Sequence, residues 1–179
     1  MIRGMRYALA LLAIAGAFAI GGCTDESSRN TLTVVTINDG NSFSSDLINE
    51  ADTAQIFIPV DNVEVTLGNI PNGGGTPIAP GEPFSEIVVT GYTVTYANGI
   101  YNPVSGGMNL RVPSGGTASG SIALSNIADK AALPLSTAST TTATVHFSGY
   151  NYSNGYRSGD AVWAEATITV QVANFGDEN

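Results

Sequence analysis

Residues 162–172 read VWAEATITVQV, and this stretch decides the fold. Polar and apolar residues alternate along it, and the apolar set is Val162, Ala164, Ala166, Ile168, Val170 and Val172. A period of two held over this length is typical of a β-strand with one buried face. The stretch therefore predicts a long, half-buried strand.

The same alternation recurs in shorter segments on the amino-terminal side. Further strands are predicted at residues 32–37, 53–60, 63–67, 87–96, 108–112, 121–125 and 142–152. In residues 87–96 we expect Val88 to share a face with Tyr92, Val94 and Tyr96, in a strand that lies centrally. Asn98-Gly99 predicts a two-residue type I′ hairpin tip and Asn154-Gly155 a second tip. One short helix is predicted at residues 126–133, with Asn126 as its cap.

Helix-favouring residues are scarce, whereas Thr, Val, Ser, Gly and Asn are abundant. Seven to nine short strands separated by turns predict an all-β, antiparallel two-sheet sandwich. The segment GYTVTY at residues 91–96 resembles the central strand of fibronectin type III domains, whose pattern is Gly-Tyr-x-Val-x-Tyr. This resemblance implies an immunoglobulin-like sandwich and identifies no ligand.

The amino terminus has the layout of a secretory signal. Arg3 and Arg6 precede an apolar run at residues 7–20 that is too short to span a bilayer, and we expect this run to be a signal helix. The tetrapeptide IGGC at residues 20–23 resembles the lipobox of bacterial lipoproteins. That resemblance implies cleavage before Cys23, a diacylglycerol on its thiol and an acyl chain on its new amine. A signal cut elsewhere, with Cys23 discarded or left as a free thiol, is the alternative.

The lipobox interpretation divides the chain into a signal peptide (1–22), a tether (23–30) and a β-sandwich domain (31–175). It places the protein in the bacterial cell envelope, attached to the membrane through its lipid, because two or more acyl chains anchor a protein stably. Thr24 follows Cys23 where an aspartate would retain some lipoproteins at the inner membrane, so the resemblance implies the outer membrane.

The chain is acidic. Its net charge is −9, and removal of residues 1–22, which hold two arginines and no acidic residue, makes it −11. Phosphate backbones and anionic lipid head groups repel such a surface, so we expect no nucleic-acid partner and no membrane contact beyond the lipid. An envelope protein remains as a candidate partner. Cys23 is the only cysteine, so the sequence predicts no disulfide.

No set of catalytic residues is recognisable. His146 is the only histidine, strand parity turns it away from the core, and no Gly-x-Ser-x-Gly stretch supplies a nucleophile. One histidine and one lipidated cysteine cannot build a zinc site. We therefore expect neither an enzyme nor a metal centre of this kind; an envelope hydrolase would need two carboxylates brought together in a cleft.

Acidic residues are concentrated near the start of the predicted domain. They are Asp39, Asp46, Glu50, Asp52, Asp61 and Glu64. Carboxylate oxygens suit Ca²⁺, although this spacing does not match an EF-hand loop. Asn38-Asp39-Gly40-Asn41 is equally explained as an Asx turn.

Tyrosines gather at both predicted hairpin tips. The candidate binding residues are Tyr96 and Tyr101 at the first tip, and Tyr150, Tyr152, Tyr156 and Arg157 at the second. Tyrosines on loops contact proteins or sugars at low entropy cost, but cross-strand aromatic pairs also stabilise hairpins. In an immunoglobulin-like strand order the two tips lie at opposite ends.

The sequence thus predicts a lipid-anchored, non-enzymatic β-sandwich of the cell envelope with a structural or interaction role. The alternative is a carbohydrate- or calcium-binding lipoprotein that uses the Tyr-rich hairpin or the acidic segment.

Overall fold

A computed structural model describes residues 30–50, 56–72, 86–153 and 156–175. Two packed β-sheets dominate this part of the chain, which confirms the predicted all-β sandwich. The eight strands in it are β1 (Asn30–Ile37), β2 (Phe43–Asp46), β3 (Asn62–Pro71), β4 (Glu86–Tyr96), β5 (Val104–Val112), β6 (Thr117–Ala123), β7 (Ala138–Ser153) and β8 (Tyr156–Ala173). A 3₁₀ turn spans Asn38–Gly40, and helix α1 spans Ile127–Ala131.

The strand order places strands that are distant in the chain side by side in each sheet. One sheet has the order β1-β3-β6 and the other the order β2-β8-β7-β4-β5. Every pair is antiparallel except β2 and β8, which run parallel and depart from the expected all-antiparallel pattern. The chain crosses between the sheets at the 3₁₀ turn, where Asn38, Asp39 and Gly40 all have positive φ. The predicted signal helix and Cys23 lie outside the described residues.

The core is built from the inward residues of both sheets, as the alternation predicted. The core includes Val65 and Leu67 of β3 and Val145 and Phe147 of β7, and all four side chains are fully buried. Burying each such side chain contributes about 1.5–3 kcal/mol. Trp163 of β8 points outward, as its parity requires.

Strand β4 is flanked by β7 and β5, which confirms its central position, but a bulge interrupts its alternation. Its pairing with both neighbours shifts between Val89 and Gly91. Val89 therefore lies in the core with Val94, whereas Val88 does not belong to the core cluster. The prediction that Val88 shares the inward face was wrong, because an extra residue in a strand reverses the parity beyond it.

The segment before β3 also differs from the prediction. In the described part of residues 53–60, only Phe57 makes a β-bridge, to Asn49, while Ile56 and Val60 are more than half exposed. Residues 56–60 therefore form no strand of either sheet, although their apolar residues alternate. The short strand β2 was missed, because the four residues FSSD carry no period that a sequence reading can detect.

Two of the predicted connections have different outcomes. At Asn98-Gly99 only Gly99 has positive φ, so the turn is not type I′; the Gly99 amide donates to the Tyr96 carbonyl at 3.2 Å. The connection from β4 to β5 runs over residues 97–103. Strands β7 and β8 pair as far as Ser153 and Tyr156, which confirms a two-residue connection, although residues 154–155 themselves lie outside the described part.

Candidate functional site

The two hairpin tips lie at opposite ends of the sandwich, as predicted. Tyr96, at the end of β4, pairs with Ala143, whereas Glu86, at its start, pairs with Tyr152 near the β7–β8 tip. The two sets of tyrosines therefore cannot form a single site.

Tyr96 and Tyr101 touch each other, with ring centroids 5.2 Å apart in an edge-to-face arrangement. The structure corrects their expected role as surface contacts, because they are only 9% and 3% exposed. The Tyr96 hydroxyl donates to the Leu124 carbonyl at 2.8 Å. Both rings belong to the core, whereas the alternative from the sequence was a cross-strand pair that stabilises the hairpin.

A buried polar cluster lies at the same end. Asp61 receives hydrogen bonds from Lys130 at 2.8 Å and from the hydroxyls of Ser45 and Ser125 at 2.5 Å each. The side chains of Lys130 and Asp61 are 0% and 4% exposed. Because Ser45 has one proton and gives it to Asp61, the Tyr101 hydroxyl donates to Ser45 at 2.8 Å. We call these five residues the Asp61 cluster.

The Asp61 cluster joins the two sheets. Ser45 lies in β2 of the five-stranded sheet, whereas Asp61 immediately precedes β3 of the three-stranded sheet. Lys130, on α1, also donates to the Pro59 carbonyl at 2.7 Å and so holds the segment before β3. Helix α1 is itself fixed by Asn126, whose side chain accepts from the Asp129 amide, as predicted.

Burial raises the pKa of Tyr101 in the Asp61 cluster and that of the adjacent Tyr96. Desolvation raises the pKa of Tyr101 to about 12, with a smaller contribution from the negative charge of Asp61. Desolvation likewise raises the pKa of Tyr96 above its usual range. Both phenols therefore stay neutral at ordinary pH.

The predicted acidic segment does not converge on a metal ion within the described residues. No group of three or more His, Cys, Asp or Glu side chains there could hold one. Asp61 faces Lys130, and Asp46 accepts from the Phe175 amide at 3.1 Å. Asp52 lies outside the described residues.

The outer face of the five-stranded sheet carries the remaining aromatic residues. Trp163 is 65% exposed and stacks on His146, with centroids 5.7 Å apart and an 18° angle between the rings. Ser148 lies opposite Trp163, and Tyr150 is two residues further along β7. Tyr152 follows on the same face. We call Tyr152, Tyr150, Trp163 and His146 the aromatic strip.

Arg111 of β5 covers the end of the aromatic strip that Tyr152 forms. Its guanidinium carbon lies 4.7 Å from the centroid of the Tyr152 ring, and it pairs with Glu86 at 3.1 Å. The hydrogen bond to Glu86 raises the pKa of Arg111, so its charge is kept. Small hydroxyl residues surround the strip, including Thr93 and Ser105, whose hydroxyls lie 3.0 Å apart.

The strip offers flat rings beside hydroxyl groups on an open sheet face. Such a surface can stack against a sugar ring or another planar group, and it can pack against a protein. The binding role that the sequence suggested for Tyr150 and Tyr152 stays a prediction.

Tyr156 and Arg157 are placed only through their backbones. Tyr156 pairs with Ser153, and Arg157 pairs with Tyr152, across the β7–β8 ladder. Their side chains lie outside the described part. Trp163 was missed as a candidate, although its large ring at an outward, otherwise polar position was a signal in the sequence.

Comparison with known proteins adds no family. No protein-family model and no curated protein sequence matches the chain. In the described residues we find no helix with the length and apolar character needed to cross a bilayer.

Proposed function

We propose that this protein is a lipid-anchored, non-enzymatic β-sandwich of the bacterial cell envelope that acts as a structural or interaction module. The anchor rests on the lipobox-like IGGC at residues 20–23. The interaction role is supported chiefly by one observation, an aromatic strip that stands open on a sheet face. The fibronectin-like segment at residues 91–96 is consistent with such a module.

The position of the amino terminus suits attachment to a membrane. Strand β1 begins at Asn30, whose amide group donates to the Asn151 side chain at 3.2 Å, beside the β7–β8 hairpin. The seven residues from Thr24 to Asn30, if extended, would reach about 25 Å. In an anchored protein the Asp61 cluster would then lie at the end remote from the lipid. The proposed location is the outer membrane.

Labelling with radioactive palmitate tests the anchor. We expect the wild-type chain to take up label and to sediment with membranes, and the C23A variant to lose both. Circular dichroism of C23A is the control, since a strand spectrum shows that the domain still folds. Absence of label from the wild type, or label that survives in C23A, would contradict the proposal.

A second candidate function is carbohydrate binding, and the stacked Trp163–His146 pair favours it. Exposed aromatic rings beside hydroxyl groups provide both the apolar and the polar contacts that a sugar needs. We expect W163A to abolish a thermal shift caused by a glycan, whereas T95A, on the same face but two strands away on β4, keeps it. No shift of the wild type across a glycan panel would exclude this candidate. Ca²⁺ added in parallel tests the acidic segment.

A further inference from the structure

Strand β8 has an open edge. Strand β2 pairs only with residues 170–173 of β8, and no other described strand pairs with this side of residues 161–169. The Leu47 amide donates to the Ala173 carbonyl, which shows that odd-numbered residues of β8 turn their backbone groups to this side. The residues with backbone donors and acceptors facing the open edge are therefore Trp163, Glu165 and Thr167.

This edge lacks the devices that usually prevent strand addition. Proline, lysine and bulges protect the edges of natural sheets. Residues 161–169 contain no proline or lysine, and their register with β7 is uninterrupted. Glu165 is the only charged residue among them.

A groove runs beside the open edge, between β1 and β8. The part of the groove beside residues 161–165 has a volume of about 580 Å³. It is lined by Leu32 and Val34 of β1 and by Val162 and Ala164 of β8. A second part of about 340 Å³ continues it towards Ile37 and residues 166–169. Apolar space thus lies next to unpaired backbone groups.

These features match the requirements of recognition by strand addition. In that mode, main-chain hydrogen bonds supply affinity, and pockets for alternate side chains supply specificity. We propose that the open edge of β8 binds an extended peptide segment of a partner protein, with apolar side chains in the groove and a basic residue facing Glu165. This inference rests on the proposed interaction role and names the kind of partner.

Charge favours a peptide over a second copy of this chain. Each copy has a net charge of −9, so two copies repel each other, whereas a basic segment is attracted. The inward side chains of β8, such as Val162 and Ala164, already pack in their own core. A second β8 would therefore add no side chains to the groove, but a separate peptide would.

Trp163 makes the test direct, because it is the only tryptophan and it lines the groove. The probes are capped heptapeptides that alternate Val or Leu with Thr, each with one central Lys, titrated into the full chain in detergent. We expect a saturable change in Trp163 emission. Peptides with N-methylated alternate amides are the matched control and should bind at least tenfold more weakly.

Two variants locate the binding site. T167P removes an amide that faces the open edge and is not used in pairing with β7, so it should weaken binding at least tenfold. E165K keeps the edge and reverses its charge, so it should weaken binding of the Lys peptide and spare a Glu analogue. E165K also keeps the test valid if T167P fails to fold by circular dichroism.

Three results would overturn this inference. They are the absence of any saturable emission change with the heptapeptides, equal binding of the N-methylated controls, and light scattering that shows a dimer disrupted by T167P. The dimer would assign the edge to a second copy. The titration does not depend on the lipid, so loss of palmitate labelling would overturn the anchor and leave this result standing.

Discussion

The buried Lys130–Asp61 pair allows a sharp test of how this sandwich is stabilised. K130M leaves the Asp61 carboxylate buried without its countercharge, although the hydroxyls of Ser45 and Ser125 still donate to it. Removing one partner of a buried ion pair costs about 3–5 kcal/mol of unfolding free energy. For a domain of this size that corresponds to a fall in Tm of about 6–20 °C.

The double variant D61N/K130M separates charge from packing. It removes both charges together, and replacing a whole buried pair is often nearly neutral. We therefore expect it to recover at least about 2 kcal/mol relative to K130M. The exposed pair of Arg111 with Glu86, at 56% and 43% exposure, is the matched control, and R111M should unfold like the wild type.

Urea unfolding followed by far-ultraviolet circular dichroism is the appropriate measurement, because the exposed Trp163 is a poor reporter of the core. Two results would refute the reasoning. One is a K130M variant as stable as R111M, and the other is a D61N/K130M variant no more stable than K130M. Either would mean that Asp61 does not depend on Lys130 for its burial.

Three further predictions concern single residues. Tyr101 has a pKa of about 12 in the folded protein against 10.0 in the unfolded chain. The stability that the neutral phenol contributes is therefore complete below pH 10 and is lost as the pH rises towards 12, by at most about 1.4 kcal/mol per pH unit. Urea unfolding at a series of pH values should show this slope in the wild type and a shallower slope in Y101F. N126A removes the cap of α1 and should cost about 1 kcal/mol in the same assay, while N126S keeps the cap; equal losses would contradict a capping role. G149A would place a methyl group against the Val88 carbonyl and should lower the free energy of unfolding by about 1–3 kcal/mol, whereas the added methyl group of G107A meets no atom within 4 Å. Equal melting temperatures of the two variants would show that β4 and β7 can move apart.

Much of the fold follows from local alternation. The inward set of β8 was predicted residue by residue, because a period of two holds wherever a strand has partners and one buried face. The bulge in β4 and the loop at residues 56–60 were not predictable in this way. Whether Val88 or Ile56 reaches the core depends on neighbouring strands, which one sequence does not reveal.

The candidate site was predicted only in part. Tyr150 was predicted as a binding candidate because it lies near the second tip. Strand parity placed Trp163 outward, although Trp163 was not recognised as a binding candidate. The burial of Tyr101 and Lys130 could not be foreseen, since each depends on Asp61 from a distant part of the chain. A lysine on a short helix is ordinarily exposed, and only the folded arrangement supplies its countercharge.

The crossing of the first segment from one sheet to the other has a mechanical consequence. Strands β1 and β2 follow each other in the same segment, and their ladders with β3 and β8 lie on opposite sheets. Tension applied at Asn30 along β1 would act at right angles to the hydrogen bonds of the antiparallel β1–β3 ladder and at a slant to those of the parallel β2–β8 ladder. Those bonds would then resist as a group, in shear, and a domain held by its leading end could bear a load without unzipping.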